Sequence, residues 1–331
     1  MIVGIESSCD ESAVALFDGA LGIIHEEIAS QIDLHGAYGG VVPELAAREH
    51  VKNFIPLFEN LKNFDVGGVR LVAVTGSPGL PGCVNIGIAA AKALALIFGT
   101  PVVGINHLHG HLFSPFIGIH EDDPGHFFAN LTSHLPHIGL LASGGNTILF
   151  KISEGMEITT VAETQDDAAG EAFDKGAKLL GLPYPGGALV EKFAELGNGE
   201  KYPFPRAFAD PDTMKFSFSG LKTSLRYFLE KFDGDVREHM GDICASYQAA
   251  IVGALATKVG HAIVKFPDCK SLGISGGVSN NGFLRNAIRA LAEKFGKKFL
   301  SPLRRHSGDN AAMIAFAAHI ANAFPGMAQP L

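Results

Sequence analysis

The chain has 331 residues, 47% hydrophobic and 18% charged, enough for two globular units with separate cores. Its net charge of −8 argues against strong unaided nucleic-acid binding, which depends on neutralising phosphates. The four cysteines, Cys9, Cys83, Cys244 and Cys269, form no C-x-x-C pair and read as reduced thiols of a cytoplasmic protein. No membrane span is expected, because the longest apolar run, Ile86 to Phe98, is broken by Lys92.

The chain enters a strand at Met1-Ile2-Val3-Gly4-Ile5 with no basic leader ahead of it. Gly4 to Phe17 reads as strand, polar turn (Glu6-Ser7-Ser8-Cys9-Asp10-Glu11) and returning strand, with a third strand from Leu21 to Ala29. Asp10 and Glu11, in that turn, are candidates for a general base, a Mg²⁺ ligand or plain turn formers. Pro43 suits the first turn of a helix through Ala46, His50 and Leu57. Leu71 to Val74 is a β-branched strand, followed by the Gly- and Pro-rich loop 75–82 and an Ala-rich helix from Asn85 to Phe98. Pro101 to Ile105 then completes a βαβ unit, whose ligands are expected near the strand carboxyl ends.

That last strand leads into Asn106-His107-Leu108-His109-Gly110-His111. On a helix, His107 and His111 share one face and can hold one cation, while His109 lies about 200° away from His107. A zincin protease would need Glu at position 108, and leucine stands there. The histidine pair needs a carboxylate from elsewhere, and Asp309, just ahead of the last helix, is the candidate. Two imidazoles and a carboxylate leave coordination positions open and suit iron(II) or zinc.

Residues 120–137 read as a polar linker. After it, His137 to Leu141, the turn Ala142-Ser143-Gly144-Gly145-Asn146 and Thr147 to Phe150 repeat the opening arrangement, followed by a third strand from Glu157 to Ala162. Aligning Gly4 with Gly139 puts Ser8 on Ser143 and Cys9-Asp10 on Gly144-Gly145. A Ser-Gly-Gly turn leaves backbone N–H groups bare to cup an anion. The duplication predicts an α/β protein of two similar lobes with a central cleft, and the outline resembles the actin/Hsp70/sugar-kinase (ASKHA) folds. The expected division is an N-terminal lobe over 1–130, a C-terminal nucleotide-binding lobe over 131–309, and a last helix over 310–325 packing back on the first lobe. Within the second lobe, Asp174 beside Gly186-Gly187 is a candidate ribose-hydroxyl acceptor. Gly276-Gly277 repeats the glycine turn after a strand, and Asn281 reads as a nucleoside ligand or a helix cap.

Taken together, these motifs resemble the tRNA threonylcarbamoyl-adenosine transferase family, bacterial TsaD type, formerly called O-sialoglycoprotein endopeptidases. The resemblance runs through Gly4–Glu11, Ser30–His50, Gly76–Lys92, Asn106–His111, Ser143–Thr147, Asp166–Gly187, Phe216–Thr223, Gly276–Arg285 and Asp309–Ala315. It implies a metal on His107, His111 and Asp309, and threonylcarbamoyl-AMP on Leu141, Ala142, Ser143, Gly144, Gly145, Asp174, Gly187 and Asn281. The implied reaction moves threonylcarbamoyl from that adenylate to the adenosine 3′ of the anticodon in tRNA, with Asp10 or Glu11 as proton acceptor. TsaB-like and TsaE-like partner proteins are implied as well. The chain departs from the family pattern at Asn146 (usually histidine), Ser307-Gly308 (usually Cys-Thr), Gly176 (usually larger) and Ser77 (usually glycine). A kinase of the same fold and a non-catalytic scaffold are the competing readings; a kinase has no use for the histidine pair.

Overall fold

The computed structural model describes residues 1–324 and 326–331. In chain order, strands β1 (Ile2–Glu6), β2 (Glu11–Asp18) and β3 (Gly22–Ser30) lead to helices α1 (Ile32–Gly36) and α2 (Pro43–Asn60). Strand β4 (Leu71–Ser77), helix α3 (Pro81–Phe98), strand β5 (Val102–Asn106) and the short helices α4 (His107–Phe113), α5 (Ile117–Asp122) and α6 (Phe127–Thr132) follow. Next come β6 (His137–Ala142), β7 (Thr147–Ile152), β8 (Ile158–Thr164), α7 (Ala169–Leu179), α8 (Gly187–Ala194), β9 (Lys215–Phe216), α9 (Ser219–Lys231) and α10 (Met240–Lys265). The chain finishes with β10 (Ser271–Ser275), α11 (Gly282–Lys294), β11 (Lys298–Leu300), α12 (Ala311–Ala323) and β12 (Ala328–Pro330).

The chain divides into two compact units, residues 1–131 with 302–331, and residues 132–301. The helix expected over 310–325 runs over Ala311–Ala323, and Pro325 lies outside the described residues. Each unit is built on a six-stranded sheet, ordered β12-β5-β4-β1-β2-β3 in the first and β11-β10-β6-β7-β8-β9 in the second. Stripped of β12 and β9, the two orders are the same: a central strand with an antiparallel meander on one side and two parallel strands on the other. The strands β1 and β6 are buried throughout, which suits their near-continuous apolar sequence.

Two local readings change. Helix α3 begins at Pro81, four residues before Asn85, because proline fits the first helical position. It ends at Gly99 in the left-handed region. With those extra residues α3, and likewise α10, reaches the length and hydropathy of a membrane span, although 72% of the α10 window is buried within the fold. The stretch 120–137 is not a plain linker. It contains the end of α5, a 3₁₀ turn and α6, since Phe127 and Leu131 place an apolar face on α6 that is buried.

Two close approaches set the last helix. A Cβ on Gly4 would lie 2.3 Å from the carbonyl oxygen of Ala311, so α12 rests directly on β1. A Cβ on Gly110 would meet the side chains of Ile314 at 3.0 Å and Met313 at 3.1 Å, so α4 also packs against α12, less tightly than β1 does. These glycines let the helix carrying the histidines and the helix preceded by Asp309 converge.

Candidate functional site

In the first unit the carboxyl end of β5 runs into α4, whose N-terminus is capped by Asn106 accepting from Leu108 N at 2.8 Å. One turn of that helix places His107 and His111 on the same face, ring centroids 4.7 Å apart and nearly perpendicular. Asp309 precedes Asn310, the cap of α12. Its Oδ1 lies 2.9 Å from His111 Nε2 and 3.5 Å from His107 Nε2. One ligand atom from each residue falls within 4.8 Å of the others, close enough to share a cation. Both rings are buried, and the Nδ1 of His111 has no partner among the described residues. His109 lies apart, its ring edge-on to Phe113.

A fourth residue, read from the sequence only as part of the polar turn, joins the arrangement. Glu6, at the end of β1 and wholly buried, accepts from His107 Nδ1 at 3.1 Å. It also accepts from Ser8 N and the Thr75 hydroxyl. In its neutral form a ring that donates from Nδ1 presents an unprotonated Nε2, the form that ligates a metal. Burial by itself lowers the His107 pKa, but the carboxylates of Glu6 and Asp309 hold it up at about 9. Burial raises both carboxylates, and the imidazoles overrule it: Glu6 is held down by His107, and Asp309 well down by His107 and His111.

Beside this cluster is the first polar turn. Burial, with a smaller push from the Asp309 charge, raises Asp10. Glu11 accepts from the Ser30 hydroxyl at 2.8 Å, yet burial foremost lifts it to about 7, and its Oε2 is unpartnered among the described residues. Burial likewise drives the Cys9 thiol up, so it is no thiolate nucleophile.

In the second unit the matching turn is closed by Ser143, whose N–H reaches Asn146 O at 2.8 Å while its hydroxyl accepts from Asn146 N at 3.0 Å. Leu141 and Ala142 are the buried end of β6, and Gly144 and Gly145 lie exposed with open space where a Cβ would be. The N-terminus of α7 docks on this turn: Gly170 N donates to Ser143 O at 3.0 Å, and Thr147, on β7, accepts from Ala169 N at 2.8 Å. Gly276, at φ +82°, passes so close that a Cβ would lie 2.4 Å from Ala142 O. Only glycine combines that backbone with that proximity.

Asp174 on α7 accepts from Gly186 N at 2.8 Å and Gly187 N at 3.2 Å, both through Oδ1, so it ties down the start of α8. Asn281 caps α11 through Leu284 N at 2.9 Å and donates to Gln248 Oε1 at 2.6 Å, so both ends of its amide are engaged within the protein. Next to it is a cavity of about 280 Å³ lined by Glu191, Gln248, Gly282, Phe283 and Asn286, with Glu191 accepting from Gly282 N. The residue Gly176 has its reason here: a Cβ would come 2.4 Å from the Tyr247 ring, which is held by its hydroxyl donating to Ala172 O.

Comparison with known proteins finds similar chains that share one name. A family model described as TsaD, tRNA N6-adenosine threonylcarbamoyltransferase, matches residues 22–316. Proteins named tRNA N6-adenosine threonylcarbamoyltransferase include one from Anaeromyxobacter dehalogenans (strain 2CP-C), 43% identical over 320 residues, 96% of this chain and 92% of the relative. Another, from Thermosipho africanus (strain TCF52B), is 41% identical over 323 residues, 96% and 93% of the two chains. Among solved structures, full-length HypF in its phosphate- and nucleotide-bound form superposes with a TM-score of 0.59 at 15% identity, over 98% of this chain and 55% of that one. Component A of the (R)-2-hydroxyglutaryl-CoA dehydratase of Acidaminococcus fermentans gives 0.52 at 16% identity, over 97% and 98%. These structural likenesses bear on the fold alone, which is of the ASKHA type.

Proposed function

The chain belongs to the TsaD family of tRNA N6-adenosine threonylcarbamoyltransferases, acyl-transferring enzymes that act on tRNA, and from that premise we propose the reaction in detail. The donor is threonylcarbamoyl-AMP, and the acceptor is the exocyclic amine of the adenosine 3′ of the anticodon. The group passes directly, without an acyl-enzyme. The observation that carries this reading beyond a generic nucleotide-binding fold is the convergence of His107, His111 and Asp309, backed by Glu6. In the duplicated second unit the position of Glu6 is occupied by Leu141.

The mixed anhydride of the donor has a good leaving group, so the protein's work is to position two reactants and balance charge. The bare N–H groups of Gly144 and Gly145 suit the adenylate phosphate. Asp174 has one oxygen committed to the α8 N-terminus and the other left for a ribose hydroxyl. Asn281 and Gln248 brace the cavity that would take the nucleoside. His107, His111 and Asp309 would hold iron(II) or zinc, which supplies Lewis acidity toward a phosphate or carbonyl oxygen when bound. Glu11, poised near neutrality, suits the proton that the attacking amine sheds, with Asp10 as the neighbouring alternative.

The setting is the cytoplasm, where a TsaE-like ATPase and a TsaB-like protein would assist. For the latter, α2 and α3 offer exposed apolar residues, Val51, Ile55, Leu96 and Ile97, on two helices packed side by side. The deciding experiment supplies threonylcarbamoyl-AMP, unmodified tRNA and the partner proteins. Appearance of the modified adenosine supports the reading, whereas ATP-dependent phosphorylation of a small substrate without tRNA would move the chain to the kinases of its fold.

A further inference from the structure

The net charge of −8 is not shared between the units. Residues 1–131 and 302–331 carry seven Lys and Arg against fifteen Asp and Glu, while residues 132–301 carry nineteen of each. A polyanionic substrate is therefore repelled by the first unit as a whole and meets a neutral second unit, where local arrangement decides.

Two cationic regions stand out on that second unit. One is at the amino ends of β10 and β11, where Lys270 and Lys298 emerge, Lys297 donates to Pro267 O, and Lys151 and Lys265 flank the Phe266 ring at 4.6 and 5.8 Å. The other is α9. Strands β6, β8 and β9 all run in the same direction, so the glycine turn after β6, the loop after β8 and the start of α9 share the carboxyl-end pole of the sheet. The two cationic regions thus lie at opposite ends of the strands, and only the second adjoins the turn proposed to hold the adenylate.

The start of α9 is also fixed in place. Asp166, from the loop after β8, accepts from Phe218 N, Ser219 N, and the hydroxyls of Ser217 and Ser219. This loop continues directly into α7, whose Gly170 is bonded to the glycine turn. On α9 the residues at helical spacing 219, 222, 223, 226 and 227 form one solvent-facing stripe containing Lys222, Thr223, Arg226 and Tyr227. Tyr227 is 50% exposed, a large aromatic in open solvent, and the Arg226 guanidinium lies 5.1 Å from its ring centroid. Lys215, exposed on β9, extends the stripe past the sheet edge. The acids nearby include Asp166 at the start of α9, the exposed Asp210 and Asp212 ahead of Lys215, Glu163, register partner of Lys215, and Glu230, 3.6 Å from Arg226 in a solvent-exposed pair. Exposed pairs of that kind exchange readily for a phosphate.

We propose that the Lys222–Arg226–Tyr227 face of α9, with Lys215, is the surface on which the tRNA substrate docks. The cations track phosphates, and the Tyr227 ring offers a stacking platform for an unpaired base of the anticodon loop. This rests on the reading of the chain as a tRNA-modifying enzyme and adds to it the place of contact.

The test uses the full chain with its metal and partner proteins, and measures unmodified tRNA binding across a salt series together with steady-state transfer. K222E/R226E is expected to weaken tRNA binding at least about tenfold near 0.1 M salt and to flatten the dependence of log Kd on log[salt] by about 1–2. KM for tRNA should rise with kcat held. Tyr227→Ala should weaken binding about fivefold or more with the salt slope unchanged, since it removes stacking and no charge. K270E/K297E, at the far pole, should bind as the parent does. Arg226→Gln serves as the milder variant should the double charge reversal lower expression. Parent-like affinity and slope in the α9 variants, or losses confined to the far-pole variant, would overturn the proposal. If the unaltered protein modifies no tRNA, the functional reading itself fails, a result distinct from a tRNA-modifying enzyme indifferent to α9.

Discussion

The Oε2 of Glu6 lies 3.1 Å from Nδ1 of His107, across 101 positions of sequence. The contact forms because β1 and β4 pair in parallel, as do β4 and β5, which aligns the carboxyl ends of β1 and β5 at one pole. It fixes which nitrogen of His107 points toward His111 and Asp309. Glu6→Gln should therefore weaken metal binding about 10- to 100-fold while leaving the ligands in place. Titration against a competing chelator reads this directly, and parent-like affinity would remove Glu6 from the account. His111→Ala should go further and leave the purified protein without metal by elemental analysis; full metal content there would refute the ligand assignment.

Gly4 and Gly110 make contrasting demands on α12. A methyl on Gly4 would strike a backbone oxygen, Ala311 O at 2.3 Å, whereas one on Gly110 meets the flexible ends of Ile314 and Met313 at 3.0–3.1 Å. Gly4→Ala should cost about 2–3 kcal/mol and, by displacing the helix that follows Asp309, also lower metal affinity. Gly110→Ala should cost under about 1.5 kcal/mol. Denaturant melts with metal titrations on both variants check the order, and equal costs would contradict it.

Much of this was legible in the sequence, for identifiable reasons. The duplication shows because Ser8 and Ser143 sit at the same place in two strand–turn–strand units, and apolar runs broken by a polar turn are a local signal. The histidine pair shows because His107 and His111 are one helical turn apart. Glu6 was not legible: it ends an apolar strand like any polar turn residue, and only the parallel register delivers it to His107. The employment of Asn281 by Leu284 N and Gln248 was half legible, since helix capping is local but the Gln248 contact spans 33 residues. The helices within 120–137 were hidden because charged and turn-forming residues outnumber Phe127 and Leu131, which alone carry the buried face of α6.

Glu11 gives a pH dependence with a definite sign. Its carboxyl is raised by burial to about 7 in the folded chain, above the ordinary 4.5. The folded state therefore binds the proton more tightly, and this group's contribution to stability is complete below about 4.5 and is lost as pH rises through 7. Glu11→Gln keeps an acceptor for the Ser30 hydroxyl and carries no charge. It should be more stable than the parent at pH 8 by about 1–2 kcal/mol, allowing for solvent screening on the exposed side. The difference should shrink to near zero at pH 4. A variant no more stable than the parent at pH 8 would show that Glu11 ionises without penalty.

His137, wholly buried at the start of β6, behaves in the opposite sense. The Ser271 hydroxyl donates to the His134 carbonyl at 2.6 Å, so at 2.7 Å from Nδ1 of His137 it acts as acceptor and the ring is neutral with its proton on Nδ1. Burial foremost depresses this imidazole to about 3, against an ordinary 6.5. Stability from keeping the ring neutral is present above 6.5 and drains away as pH falls toward 3, by at most about 4–5 kcal/mol. His137→Gln should be less stable than the parent at pH 7, having lost a packed ring and its bond to Ser271. Between pH 6 and 4 the parent should lose stability faster than the variant, so that the gap narrows or reverses. Thermal melts of both across that range decide it, and parallel curves would mean that the acid sensitivity of the second unit has another origin.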